Sequence, residues 1–306
     1  MSQFRGPALG AALISGAMLI FTVMSGFIKA ADVPAGQAVF FRSFFAIPVI
    51  FAWLWRTGHL HDGLKTVRWQ SHVLRGVVGT SAMGLGFAGL LYLPLPEVTA
   101  IRFATPIILV VLAALMLGER FRFFRLGAVL MGLVGVMIII WPRLGGSVSD
   151  AATLGAILTL GSAALAALAQ VFVKGMAGRE STSAIVFYFS LTATLLGLST
   201  LPFGWVWPTA EQAAYLIGAG LIGGIGQILL TSSYRFADAS ALAPFTYSAM
   251  VWALLVGWIW FAEVPTAQML LGSLIVIAAG SLIVWRERQL GKDETARRKV
   301  RAKGLQ

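Results

Sequence analysis

Ten apolar runs follow one another along this chain, each close to the ~20 residues that an α-helix needs to cross the hydrocarbon core of a bilayer. They lie at approximately 8–30, 33–55, 72–93, 96–117, 122–141, 152–174, 181–201, 211–234, 240–261 and 265–285. Inside lipid, every backbone N–H and C=O must find a partner within the protein, which leaves only helices and closed barrels. The runs are continuously apolar and lack the alternation of a lipid-facing strand, so they predict helices. With 58% hydrophobic and 11% charged residues, the chain falls far below the roughly one-quarter charged content of a soluble domain. The first run is read as a retained span, because it is too long for a signal peptide and shows no clear small-residue cleavage site. The absence of cysteine excludes disulfides, thiolate metal sites and thiol catalysis.

The runs are also written twice. Leu9-Gly10-Ala11 through Lys29 is echoed 145 residues later by Leu154-Gly155-Ala156 through Lys174, and Gly16 falls on Gly161. Gly118-Glu119 answers to Ala262-Glu263, Gly135 to Gly280, and the connection Tyr92 to Glu97 to the connection Tyr234 to Ala239. The expected organisation is a first five-helix repeat over 1–148, a second over 149–288 and a polar tail over 289–306. In membrane carriers such halves build a substrate site at their interface.

Charge placement fixes the expected orientation. One side of the membrane receives Arg5; Arg56, Lys65 and Arg68; Arg120, Arg122 and Arg125; Lys174 and Arg179; Arg235; and the basic tail from Arg286 to Lys303. The other receives Lys29 and Arg143, while Arg42, Arg75 and Arg102 fall within spans. The positive-inside bias therefore puts both termini in the cytoplasm of a bacterial inner (plasma) membrane. The net charge of +11 is then a topology signal rather than a nucleic-acid footprint, with attraction to anionic lipid secondary. Five spans are an odd number, so the second repeat must enter the membrane inverted. Exchanging the conformations of inverted halves converts an inward-open shape into an outward-open one.

The segment Pro94-Leu95-Pro96-Glu97-Val98-Thr99-Ala100, then Thr105-Pro106, Leu117-Gly118-Glu119-Arg120, Gly127 and Gly135, resembles the EamA-type repeat of the drug/metabolite transporter superfamily. A looser second copy runs from Ala239-Ser240-Ala241-Leu242-Ala243-Pro244 through Phe261-Ala262-Glu263 to Gly272 and Gly280. The resemblance implies an all-α membrane protein of ten helices in two inverted five-helix repeats. It also implies a central cavity lined mainly by spans one, three, four, six, eight and nine, and transport of small metabolites. Members that resemble this chain include exporters of amino acids, aromatic ones among them.

Several residues are candidates for the substrate site. Gln227, about sixteen residues into the eighth span, carries an amide suited to a zwitterionic ligand or to an interhelical hydrogen bond. Its counterpart in the repeat is Met83. Tyr247 and Ser248 offer hydroxyls, and Phe21, Met24, Phe87, Phe103 and Trp252 offer apolar surface, the usual mixture in small-molecule sites. Arg102 is placed to read a substrate carboxylate, to pair with Glu97 as a gate, or to snorkel to the interface. Arg42 lies nine residues inside the second span, roughly 13 Å along the helix, and is expected to anchor structure. Arg75 is expected to be an interfacial anchor. Pro48, Pro106 and Pro244 are expected to kink their helices, Glu119 and Glu263 to close the bundle ends, and Gly79 and Gly223 to permit close packing, sliding or room for a ligand.

The copies differ at Met83 against Gln227, Arg102 against Thr246 and Pro106 against Met250, and these breaks in symmetry are where a substrate is expected. All twelve acidic residues fall in connections, in the tail or near span ends, which argues against a proton-coupling carboxylate and for facilitative transport or exchange. His59 and His61 share a loop with Asp62 but no further ligand for a metal, and there is no phosphate-cradling loop or nucleophile–base pair. The expectation is thus a non-enzyme without cofactor, binding a small-molecule substrate and membrane lipids but no nucleic acid, as a monomer or homodimer. An exporter of small amphiphilic metabolites, amino acids first, leads. A carrier of S-adenosylmethionine or a nucleotide derivative, and a non-transporting scaffold, are the alternatives.

Overall fold

The computed structural model describes residues 5–59, 62–105, 107–108, 112, 116, 123–144, 150–176, 179–233, 236, 245–279, 281–282 and 285. Among them the secondary structure is helical, without a strand. Span one is α1 (Arg5–Ala31). Span two is divided into α2 (Ala35–Phe44) and α3 (Ala46–Arg56), and span three is α4 (Trp69–Tyr92). Span four opens with α5 (Leu95–Arg102), span five is α6 (Phe123–Leu144), span six α7 (Asp150–Met176) and span seven α8 (Thr182–Ser199). Span eight is α9 (Ala210–Ser233), span nine holds α10 (Ser248–Phe261), and span ten holds α11 (Ala267–Ala279). Six of these are long and apolar enough to cross a bilayer unaided: spans one, two, three, six, seven and eight.

The second span, where Pro48 was expected to kink the helix, breaks at Phe45. Pro48 supplies the reason, since a proline lacks the N–H that would bond the carbonyl of Phe44 and its ring crowds that carbonyl. Span eight starts on a reciprocal cap: Thr209 N–H donates to Gln212 Oε1 at 2.9 Å and Gln212 N–H to Thr209 Oγ1 at 3.2 Å. The Gln212 amide then donates to Ala31 O at 2.9 Å and ties this start to the end of span one.

The helices pack in pairs that map onto one another when the halves are exchanged. Span one lies against span eight and span three against span six, the two most extensive contacts in the bundle. Span two meets span seven, span four meets span nine, and the contact of spans one and nine is matched by that of spans six and four. Glycine makes these approaches close. A Cβ on Gly226 would stand 3.0 Å from Ile20 and Phe21 of span one, and one on Gly89 would stand 2.2 Å from Thr159 of span six. Outward faces are apolar, with Trp55, Trp69, Trp207 and Trp258 strongly exposed, as suits aromatic side chains at and below a lipid headgroup layer.

At the Arg68 end of the bundle, Glu180 joins the connection between spans two and three to that between spans six and seven. Its side chain is 4% exposed. Its Oε1 accepts from Thr66 Oγ1 at 3.1 Å, Val67 N–H at 2.9 Å and Arg68 N–H at 3.0 Å. His72 Nε2 stands 3.3 Å from Oε2, and the hydroxyls of Ser181 and Ser183 donate to Gly63 O at 2.8 and 2.7 Å. Burial alone would raise the Glu180 pKa; hydrogen bonds from Arg68, His72, Val67 and Thr66 outweigh it and hold the carboxyl below the ordinary glutamate range. A depressed folded-state pKa contributes stability that is complete above the unfolded value and is lost as pH falls through the folded one. In detergent at pH 7, Glu180→Gln should therefore lower Tm relative to wild type, and the gap should close only below about pH 4.

Candidate substrate site

One continuous buried cluster runs through the interior and draws on both repeats. Met24 of span one, Phe87 of span three, Phe103 of span four and Tyr247 beside span nine belong to it, with Phe21 and Met83 packed against its margin. Phe103 and Tyr247 meet edge to face with ring centroids 5.1 Å apart, a favoured aromatic geometry that here bridges the two halves. Gln227 is half-buried, and its amide makes no hydrogen bond among the described residues.

The other expected site residues fall differently. Ser248 donates its hydroxyl to Phe245 O at 2.6 Å, within its own helical turn. Trp252 has its indole N–H buried without an acceptor among the described residues, while its ring lines an outward groove of about 440 Å³ with Leu19, Leu255 and Val256. Arg102 is exposed. Even so, its Nη1 lies 3.9 Å from where a Cβ on Gly86 would stand, and the same point is 2.9 Å from Ser162 Oγ, so the guanidinium lies where spans three, four and six meet. Pro106, Pro244 and Glu119 lie outside the described residues.

Glu263 closes the opposite end of the bundle from Glu180. Its Oε1 pairs with Lys29 Nζ at 2.8 Å and its Oε2 accepts from Leu95 N–H at 2.9 Å. Lys29 Nζ also donates to Leu93 O at 2.7 Å. The ends of spans one and nine and the connection between spans three and four are held in one charged knot, both side chains being less than a fifth exposed. Ala262 aims Glu263 by adopting a left-handed conformation at φ 53°, which lets Glu263 N–H bond back to Gly257 O at 2.9 Å. In the sequence, Lys29 stood out only as a charge on the sparsely basic side; nothing local announced its partner.

The arginines of spans two and three meet one aromatic ring. The Arg75 guanidinium carbon sits 3.9 Å from the ring centroid of Phe189 in span seven. Arg42, 4% exposed, faces the same ring at 5.7 Å. Two glycines make room for them. A Cβ on Gly79 would stand 3.1 Å from the Phe189 ring and 3.7 Å from Arg75 Nη1, and one on Gly223 would stand 2.8 Å from Met24 Sδ and 3.4 Å from Arg42 Nε. Gly79 and Gly223 are separated by the same 144 residues as Met83 and Gln227, so the repeat places them equivalently. Phe189 carried no sequence signal that would separate it from any lipid-facing phenylalanine.

Interlocked helical halves with apolar outer faces and a mixed aromatic and polar interior define a polytopic membrane transporter. The chain belongs to the EamA-like transporter family, whose profile matches residues 8–141 and 153–285. The pseudopaline exporter CntI of Pseudomonas aeruginosa is 28% identical over 266 residues, 86% of this chain and 91% of that protein. A riboflavin transporter of Vibrio cholerae is 27% identical over 300 residues, 96% and 99% of the two chains. An S-adenosylmethionine uptake transporter of Rickettsia prowazekii is 26% identical over 254 residues, covering 83% and 84%. A crystal structure at 19% identity superposes over 92% of this chain and 98% of its own with a TM-score of 0.65, which shows a shared fold.

The glycine contacts give a direct check. Gly223→Leu should force Met24 and Arg42 apart and lower Tm in detergent by several degrees, as core overpacking of about 1–3 kcal/mol does. Gly16→Ala, whose Cβ would meet only Leu229 Cδ1 at 3.8 Å, should leave Tm within a degree or so of wild type.

Proposed function

We propose that this protein exports small amphiphilic metabolites, amino acids first among them, by alternating access, as a facilitator or exchanger. The observation that carries the reading is the exchange symmetry of the packing, in which each half buries its glycine-lined third helix against the first helix of the other. Two inverted, interlocked halves that swap conformations move a central site from one membrane face to the other. An apolar interior with Phe103, Tyr247, Met24 and Phe87, a Gln227 amide without a partner among the described residues and the Arg102 guanidinium suits a ligand with an apolar body and a few polar groups. Both termini are placed in the cytoplasm of the inner membrane by the charge bias. The relatives named for riboflavin and S-adenosylmethionine favour a second reading, a bulkier metabolite, and the one named for S-adenosylmethionine uptake favours import rather than export.

Counterflow in proteoliposomes separates these readings. Preloading with unlabelled amino acids should drive accumulation of a labelled amino acid from a panel that includes phenylalanine and glutamate, whereas accumulation only of labelled riboflavin or S-adenosylmethionine would establish the second reading. Gln227→Ala should raise the half-saturating concentration by about tenfold, corresponding to the loss of a hydrogen bond of about 1.4 kcal/mol. An imposed pH gradient should not drive substrate uphill. Accumulation against the gradient would contradict facilitative transport.

A further inference from the structure

Arg42 and Arg75 converge on one buried ring, and neither has a counter-charge among the described residues. Their guanidinium carbons lie 5.7 and 3.9 Å from the Phe189 centroid, so their separation cannot exceed the sum of those distances. Arg42 Nε and both Nε and Nη1 of Arg75 are buried without a hydrogen-bond acceptor among the described residues. The ion pairs among the described residues, Lys29–Glu263, Lys65–Asp62 and His72–Glu180, involve neither of them. Arg42 is seven residues into α2 and Arg75 six into α4, about 9–10 Å along each helix. At such depth an uncompensated guanidinium is costly, and a ring face recovers only part of what water gave.

A structural arginine in lipid normally ends on a carboxylate, on backbone carbonyls or in the headgroup layer. Arg42 and Arg75 do none of these with their buried nitrogens. We propose that the two arginines, which converge on the Phe189 ring, form an oxyanion site for the transported molecule, which carries two negative charges as a dicarboxylate or a phosphomonoester. Guanidinium forks match the planar carboxylate and the phosphate alike, and two of them neutralise a dianion without any protein acid. Gly79 lets Phe189 and Arg75, and Gly223 lets Met24 and Arg42, come close to their helices. Phe189 is 7% exposed and Arg42 4%, which sets the site away from the lipid-facing surface and favours a small solute over a lipid headgroup. The proposal rests on the carrier reading and narrows it, from amphiphilic metabolites in general to acidic ones.

Thermal unfolding of the full chain in a neutral detergent, at constant ionic strength set by sodium chloride, tests this without requiring transport. Phenylsuccinate or inorganic phosphate should raise Tm saturably, with the monoanion 3-phenylpropionate much weaker than phenylsuccinate. Arg42→Gln and Arg75→Gln should each weaken the effective anion by roughly tenfold or more. Without anion, each variant should unfold no lower than wild type, because an uncompensated charge has been removed; a merely structural arginine would give a clear fall. No shift from either dianion in wild type would overturn the proposal, as would a shift retained in both variants. A shift produced only by phosphatidylglycerol would assign the pair to lipid and equally overturn it. Anion binding without counterflow would instead refute the carrier reading and leave the site standing.

Discussion

The close approach of span eight to span one, and of span three to span six, is the contact on which the remaining structure depends. Lipid tails are as apolar as leucine, so no hydrophobic force drives one helix against another; backbone proximity and the dispersion contacts it allows must do so. Glycine faces supply that proximity, with Gly226 against Ile20 and Phe21 on one side of the molecule and Gly89 against Thr159 on the other. Because each contact joins helices from different repeats, neither half completes its own packing. The same arrangement sets aromatic residues of both halves face to edge at Phe103 and Tyr247 in the interior.

The two ends of the bundle are closed by different means. Lys29 and Glu263 join helices that belong to the interior set, spans one and nine, together with the start of span four. Removing one partner of such a largely buried pair leaves the other charge stranded, at a cost of about 3–5 kcal/mol. Glu180 acts mainly on connections instead: it gathers the backbone N–H groups of Val67 and Arg68 and meets only the start of span three, at His72. The first device ties together the ends of spans one and nine and the start of span four, and the second fixes the connections at the other end.

Much of this was legible in the sequence, because its signals are local or periodic. Run length gave the spans, and the 144 to 145 residue offset paired Gly79 with Gly223 as it paired Met83 with Gln227. Pro48 carried the break at Phe45. Partnerships across the bundle were not legible. Lys29 and Glu263 are far apart in the chain, and the contact of Arg75 with Phe189 depends on a direction around the helix that distance from the helix end does not show. The site residues divide in the same way. Met24, Phe87, Phe103 and Tyr247 share the buried interior, whereas the Trp252 ring turns to an outward groove and Ser248 serves its own turn.

A chain without cysteine permits a direct test of whether the ends of this bundle open and close during transport. Lys29 and Glu263 replaced together by cysteine can be joined by a thiol-specific crosslinker whose disulfide is cleaved by reductant, and counterflow measured in proteoliposomes before and after cleavage. Alternating access predicts that crosslinked protein exchanges no substrate and that reduction restores the rate of the uncrosslinked variant. Undiminished exchange through the crosslinked protein would contradict the account.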